Sequence, residues 1–272
     1  MVIVTTPPKA IYQVLTVFRY ELLKSIRTKK LYASIAVAVA VPLLLVMVPE
    51  FFDTDIPDTS NEYLLGNLGS VFIIIVIVGS FFGSSSLASE FHEKTHYTLF
   101  PNPISRVSIW TGKFFAASAI AIGMTALYYC IVEAGTYYRY GEIPIEILYS
   151  FGASLLSIFM IMSVSFLFSS FLKGPTGAMI LVFILFIMVF PLVEGILVGL
   201  ADEKPWFLPT FASKITEFVV LDPYPSDLKP GDRPKGPFDH YRYVPYLDES
   251  IPILVGYSVA FSIASIFVFK RR

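Results

Sequence analysis

Six apolar runs, each near or above the length that crosses a bilayer as a helix, constrain this chain more than any other feature. They lie at about 31–49, 64–87, 107–133, 145–172, 176–200 and 251–269. A hydrocarbon core about 30 Å thick takes about 20 apolar residues in α-helical form. Charged residues make up only 15% of the chain and apolar residues 55%, whereas a soluble domain carries about 25% charged residues. The expected fold is all-α: a single transmembrane domain over residues 1–272, polytopic, with six transmembrane helices.

Residues 9–28 precede the first run. Ile11, Val14, Leu15, Phe18, Leu22 and Ile26 recur there at helical spacing, with Lys9, Gln13, Lys24 and Arg27 largely on the other side. The segment is too charged to span. It reads as an amphipathic helix in the membrane interface, basic residues toward anionic headgroups, with a soluble packing helix as the plainer alternative. Glu21, Lys24 and Arg27 are its candidate functional residues. The N-terminal residues lack a basic region followed by an apolar core, so no cleaved signal peptide is expected. The lone cysteine, Cys130, excludes an intramolecular disulfide and a cysteine-based metal cluster.

Within the spans, Pro42 predicts a bend. Pro191 and Glu194 interrupt the fifth run and predict two half-helices or a re-entrant pair, a candidate outer gate. After the third run, Thr136–Pro144 reads as a tyrosine-rich interfacial loop. Residues 201–249 read as a long polar, proline-rich connection.

Basic residues orient the chain. With the N-terminus in the cytoplasm, the inner segments (1–30, 88–113, 173–175 and 270–272) hold thirteen Lys and Arg against three acidic residues; the outer segments hold seven against eighteen. Both termini are therefore expected in the cytoplasm of a multi-pass plasma-membrane protein, with 201–249 outside.

The polar stretch from Ser89 to Lys113 joins the second and third runs and admits two readings. His92-Glu93-Lys94-Thr95-His96 matches H-E-x-x-H, which on a helix places two histidines on one face to bind zinc, with the glutamate polarising a bound water. A membrane zinc protease needs a third ligand. The remaining histidine, His240, lies across the membrane, and the carboxylates of Glu133 and Glu194 fall at the far ends of their spans.

The other reading is a docking surface. Glu90, Thr95, Leu99, Pro103-Ile104-Ser105-Arg106 and Gly112-Lys113 follow, without a gap, the order of an acidic segment with a Thr, a leucine, a Pro-x-Ser-Arg step and a Gly-Lys that opens the next span. This resembles the loop between the second and third spans of type-2 ATP-binding-cassette (ABC) exporter permeases. His92 stands where a second acid is usual, Glu93 one position later, and Lys94 where a glycine is common. In coarse form the resemblance covers the whole chain.

It implies that residues 88–106 are a cytoplasmic coupling segment, with Glu90, His92, Glu93, Thr95, Leu99, Pro103 and Arg106 as ATPase-coupling residues. A rim of Glu90, Glu93 and Arg106 would offer charge pairs that set a partner's register. Pro101 and Pro103 stiffen the link to the third span.

No G-x-x-x-x-G-K-[ST] occurs in the chain. The permease is therefore not expected to be an enzyme or to hold a cofactor of its own; ATP and magnesium would belong to a separate ABC-type ATP-binding subunit. Six spans are half of what such exporters use, which implies a second permease chain, most simply in a homodimer, with a heterodimer as the alternative. Nothing points to a nucleic-acid partner. The spans carry almost no ionisable residue at mid-depth, unlike ion-coupled carriers, and an amphipathic or lipidic cargo is expected. A non-transporting membrane anchor for a soluble partner is the remaining alternative.

Overall fold

The computed structural model describes residues 9–51, 57–92, 104–172, 174–227 and 243–271. The described elements are helical. Among the described residues, six helices are long and apolar enough to cross a membrane: α2 (Lys29–Pro49, running on to Phe51), α3 (Ser60–Glu90), α4 (Arg106–Tyr140), α5 (Glu146–Phe171), α6 (Pro175–Ala201) and α9 (Leu247–Arg271). Helix α1 (Ala10–Ile26) precedes them, and two short helices, α7 (Pro209–Ser213) and α8 (Ile215–Phe218), lie between α6 and α9. The chain is an all-α polytopic membrane protein.

Helices α3, α4 and α5 form the buried centre, and α2, α6 and α9 surround it with mostly exposed apolar faces. Helix α9 packs along α5, α2 along α4, and α6 against the last turns of α3 and against α5. The inner helices meet through small residues, chiefly the buried serines of α5, which let backbones approach closely in lipid. Ser169 of α5 accepts the backbone N–H groups of both Leu87 and Ala88 of α3, at 3.0 and 2.9 Å.

Three segments differ from the expectation. Helix α4 does not stop at Glu133. Ala134–Tyr140 continue it: no proline precedes Gly141, and Gly135 stays helical, buried where a Cβ would lie 2.8 Å from Val46 Cγ1. Gly141 adopts φ +72°, and its N–H donates to the Tyr137 carbonyl at 2.9 Å, a left-handed helix end open to glycine.

Helix α6 is one span, neither two half-helices nor a re-entrant pair. Pro191 lacks a backbone donor and would clash with the carbonyl four residues back. A wide π turn over Leu185–Val189, directly before it, absorbs the mismatch, and a second follows at Leu197–Ala201.

The connection after α6 is not simply polar. Leu208, Phe211, Ala212, Ile215, Phe218 and Val220 are buried, so α7 and α8 sink apolar faces among α3, α5, α6 and α9.

Helix α1 lies along the first half of α4, with its polarity inverted relative to a helix on a water-soluble core. Ile11, Leu15, Tyr20, Leu23 and Ile26 are exposed, while Gln13 is buried and Glu21 and Lys24 face inward. Lys9, Arg19 and Arg27 remain exposed, and Lys24, its side chain 39% exposed, stands 3.6 Å from Glu90 of α3. Gly112 makes the approach feasible: a Cβ there would lie 2.7 Å from Val17 Cβ and 2.9 Å from the Val14 carbonyl oxygen. Gly112→Val is expected to push α1 off α4 and cost about 1–3 kcal/mol, read as a lower unfolding midpoint and faster proteolysis between α1 and α2.

Candidate functional site

The first turn of a helix leaves backbone N–H groups without helical partners. At the start of α4 these are met locally and from a distance. The Ser105 side chain accepts from the Ser108 N–H at 3.0 Å, and the Ser105 N–H donates to Gln13 Oε1 of α1 at 3.0 Å. The matching problem at the end of α9 is solved from the same place. Arg106 Nη1 donates to the Lys270 carbonyl at 2.9 Å and the Phe269 carbonyl at 3.5 Å, a cationic cap on a helix C-terminus. One turn further, Trp110 Nε1 donates to Ser265 Oγ of α9 at 2.9 Å.

Lys113 lies two turns inside α4 with its side chain only 2% exposed. Its ammonium donates to Glu21 of α1 and to Glu90 Oε1 of α3, the latter at 2.9 Å. Lys24 Nζ stands 3.6 Å from the same Glu90 oxygen. Two carboxylates and two ammonium groups thus close a charge-balanced cluster joining α1, α3 and α4. A buried charge survives only when paired and hydrogen-bonded, and here each helix satisfies the others.

The coupling residues inferred from sequence separate accordingly. Glu90 is not on a rim: it is buried against Lys113, whose ammonium donates to it at 2.9 Å. Arg106 is turned to the α9 carbonyls. His92 ends the helix Ser84–His92. Glu93, Thr95, Leu99 and Pro103 lie outside the described residues, as do His96 of the H-E-x-x-H motif and His240. Arg27 is exposed, and its backbone N–H closes the end of α1. Gln13 is named in the sequence only as part of the polar side of residues 9–28, and Trp110 and Ser265 carry no signal there. Their roles depend on contacts across 92 and 155 positions, for which no local pattern exists.

At the opposite end of the bundle a cavity of about 540 Å³ opens between α3, α6, α7 and α8. Pro191 and Glu194 line its α6 wall, Phe72 and Ile73 its α3 wall, and Phe211, Lys214 and Glu217 its third side. Lys214 Nζ donates to Glu194 Oε1 at 2.5 Å. Glu217 sits against Gly69, where an added Cβ would lie 3.7 Å from its Oε2. Burial, with a smaller contribution from Glu194, pushes the Glu217 carboxyl up to about 7 despite the pull of Lys214. Tyr243 closes the rim, its hydroxyl donating to the Asp202 carbonyl at 2.7 Å.

No curated protein sequence matches the chain. The sequence matches the family described as ABC-2 family transporter protein over residues 15–272, taking in most of α1, all six spans and both sites just described. The chain belongs to the ABC-2 transporter family and is a membrane-embedded permease subunit of an ABC transporter.

Proposed function

We propose that this permease subunit moves an amphipathic or lipidic substrate outward across the plasma membrane, driven by ATP hydrolysed on a separate ATP-binding subunit that docks at residues 88–106. The observation that carries the docking site is the way the two ends of that connection are held. Glu90 at its start and Lys113 just beyond it share one buried cluster with Glu21 and Lys24, and Arg106 joins the same end to α9. A segment anchored on both sides transmits displacement to the spans instead of dissipating it in a loose loop. On this reading both termini and the docking segment face the cytoplasm, two permease chains complete the pathway, and the chain performs no hydrolysis itself.

The test is purification from native membranes through a tag on the C-terminus, with identification of the co-purifying proteins. The expected result is a stoichiometric ATPase carrying a phosphate-binding loop, together with a second permease chain. Absence of any ATPase, with one zinc per chain, would overturn the assignment. In the reconstituted complex, Thr95→Ala and Glu93→Gln are expected to lower permease-dependent stimulation of ATPase turnover several-fold while leaving the unfolding midpoint unchanged. Equal turnover in the variants would place docking elsewhere.

A further inference from the structure

Among the described residues, the lining of the cavity between α3, α6, α7 and α8 holds two carboxylates, Glu194 and Glu217, and one cation, Lys214. Glu194 is matched by Lys214 at 2.5 Å. Glu217 lines the same cavity, and no hydrogen bond to its carboxylate occurs among the described residues. We propose that this cavity is a binding site for a hydrophobic monovalent cation, an amine or quaternary onium group on an apolar body, with Glu217 as its counter-charge.

Three features select that class. The volume, about 540 Å³, suits a small organic molecule. Phe72, Phe186 and Phe211 contribute aromatic walls, and ring faces attract cations as well as apolar surface. A bare divalent metal suits the site poorly: calcium and magnesium take about six or more oxygen ligands, and here one carboxylate is already paired while the walls are largely hydrocarbon.

An uncompensated carboxylate in such a setting is costly, and an onium group removes the cost without requiring water. The upward displacement of the Glu217 carboxyl to about 7 agrees, since the site holds a proton when it holds no other cation. The charged and titratable groups around Glu217 are Lys214 on the same segment, Glu194 from α6, Tyr128 and Tyr129 from α4, and Tyr243 at the rim. Binding itself does not depend on the transporter reading; the use of the site for cargo rests on it.

The deciding experiment is equilibrium dialysis of the purified full chain in lipid nanodiscs against radiolabelled tetraphenylphosphonium. Tetraphenylborate, of the same shape and opposite charge, is the control, with empty nanodiscs subtracted. The expected result at pH 8 is saturable uptake of the phosphonium, about one per chain, and no saturable uptake of the borate. Glu217→Gln is expected to weaken phosphonium binding at least tenfold. Gly69→Leu, which fills the floor beside the carboxylate, is expected to do the same. Lowering the pH from 8 to 5 should release the ligand as Glu217 takes up its proton.

Unchanged binding in Glu217→Gln, or saturable binding of both ions alike, would overturn the proposal. Because Glu217→Gln keeps the side-chain volume and removes only a charge, that variant decides the matter even if Gly69→Leu fails to fold. Loss of the site while an ATPase still co-purifies would remove this inference and leave the permease assignment standing.

Discussion

Replacing Lys113 by methionine is expected to destabilise the chain by about 3–5 kcal/mol, the range for removing one partner from a buried ion pair. The substitution conserves volume and leaves α4 helical, so the loss reports charge alone. Glu21 and Glu90 would then face each other across a site whose remaining cation, Lys24, stands 3.6 Å from Glu90 and is itself 39% exposed. One of the two must take a proton or turn outward, detaching either α1 or the end of α3. The triple variant Lys113→Met, Glu21→Gln, Glu90→Gln separates the net worth of the buried pairs from the cost of breaking them, because the one charge then left in the cluster, Lys24, has a side chain 39% exposed and can reach water. It should recover most of the lost stability. Equilibrium unfolding of the three proteins in mixed micelles measures this directly. A loss below about 1 kcal/mol in the single variant would place the ammonium in water.

The second large effect is at the other end of the bundle. Glu217 takes up its proton at about 7 in the folded chain, against 4.5 for an unperturbed glutamate. Between those values the folded state binds more protons than the unfolded one, so stability falls as pH rises from 4.5 to 7 and is level above. The accumulated penalty at pH 8 is about 3 kcal/mol. Glu217→Gln is therefore expected to be more stable than the natural chain by about that amount at pH 8, and indistinguishable from it near pH 4. Melting curves of both proteins between pH 4 and 8 test the slope. Parallel curves would show that the carboxyl is hydrated in the folded state.

The spans were legible because lipid leaves the chain little choice: an unbroken apolar run of the right length must be a helix. What each helix does with its polar residues was less legible. Glu21, Glu90, Lys113 and Arg106 could all be named from their positions, yet their directions could not. Lys113 meets carboxylates 92 and 23 positions away, and Arg106 meets carbonyls 163 and 164 positions away.

Glu217 is a different case. It lies in a connection that prolines and charges make look irregular. The spacing of Leu208, Phe211, Ala212, Ile215 and Phe218 nevertheless repeats every three to four residues, a helical period, and all five are buried. Composition averaged over the long connection concealed it. The extra turns of α4 were readable too, since no proline lies between Glu133 and Gly141 and Gly135 weakens a helix by only about 1 kcal/mol.

The extended α4 has a mechanical consequence. Its 35 residues contain no proline and run about 50 Å, well beyond the apolar thickness of a bilayer. Helix α6, by contrast, holds Pro191 in its interior and two wide turns. Near one end α4 is fastened to α1, α3 and α9 within eight residues, Arg106 to Lys113. Such a rod multiplies displacement: a tilt of about 5° at the fastened end carries Gly141 about 4 Å at the other. Small angular motions where the helices are pinned would thus arrive as side-chain-sized translations on the far side of the membrane, with α6 as the compliant member that lets them pass.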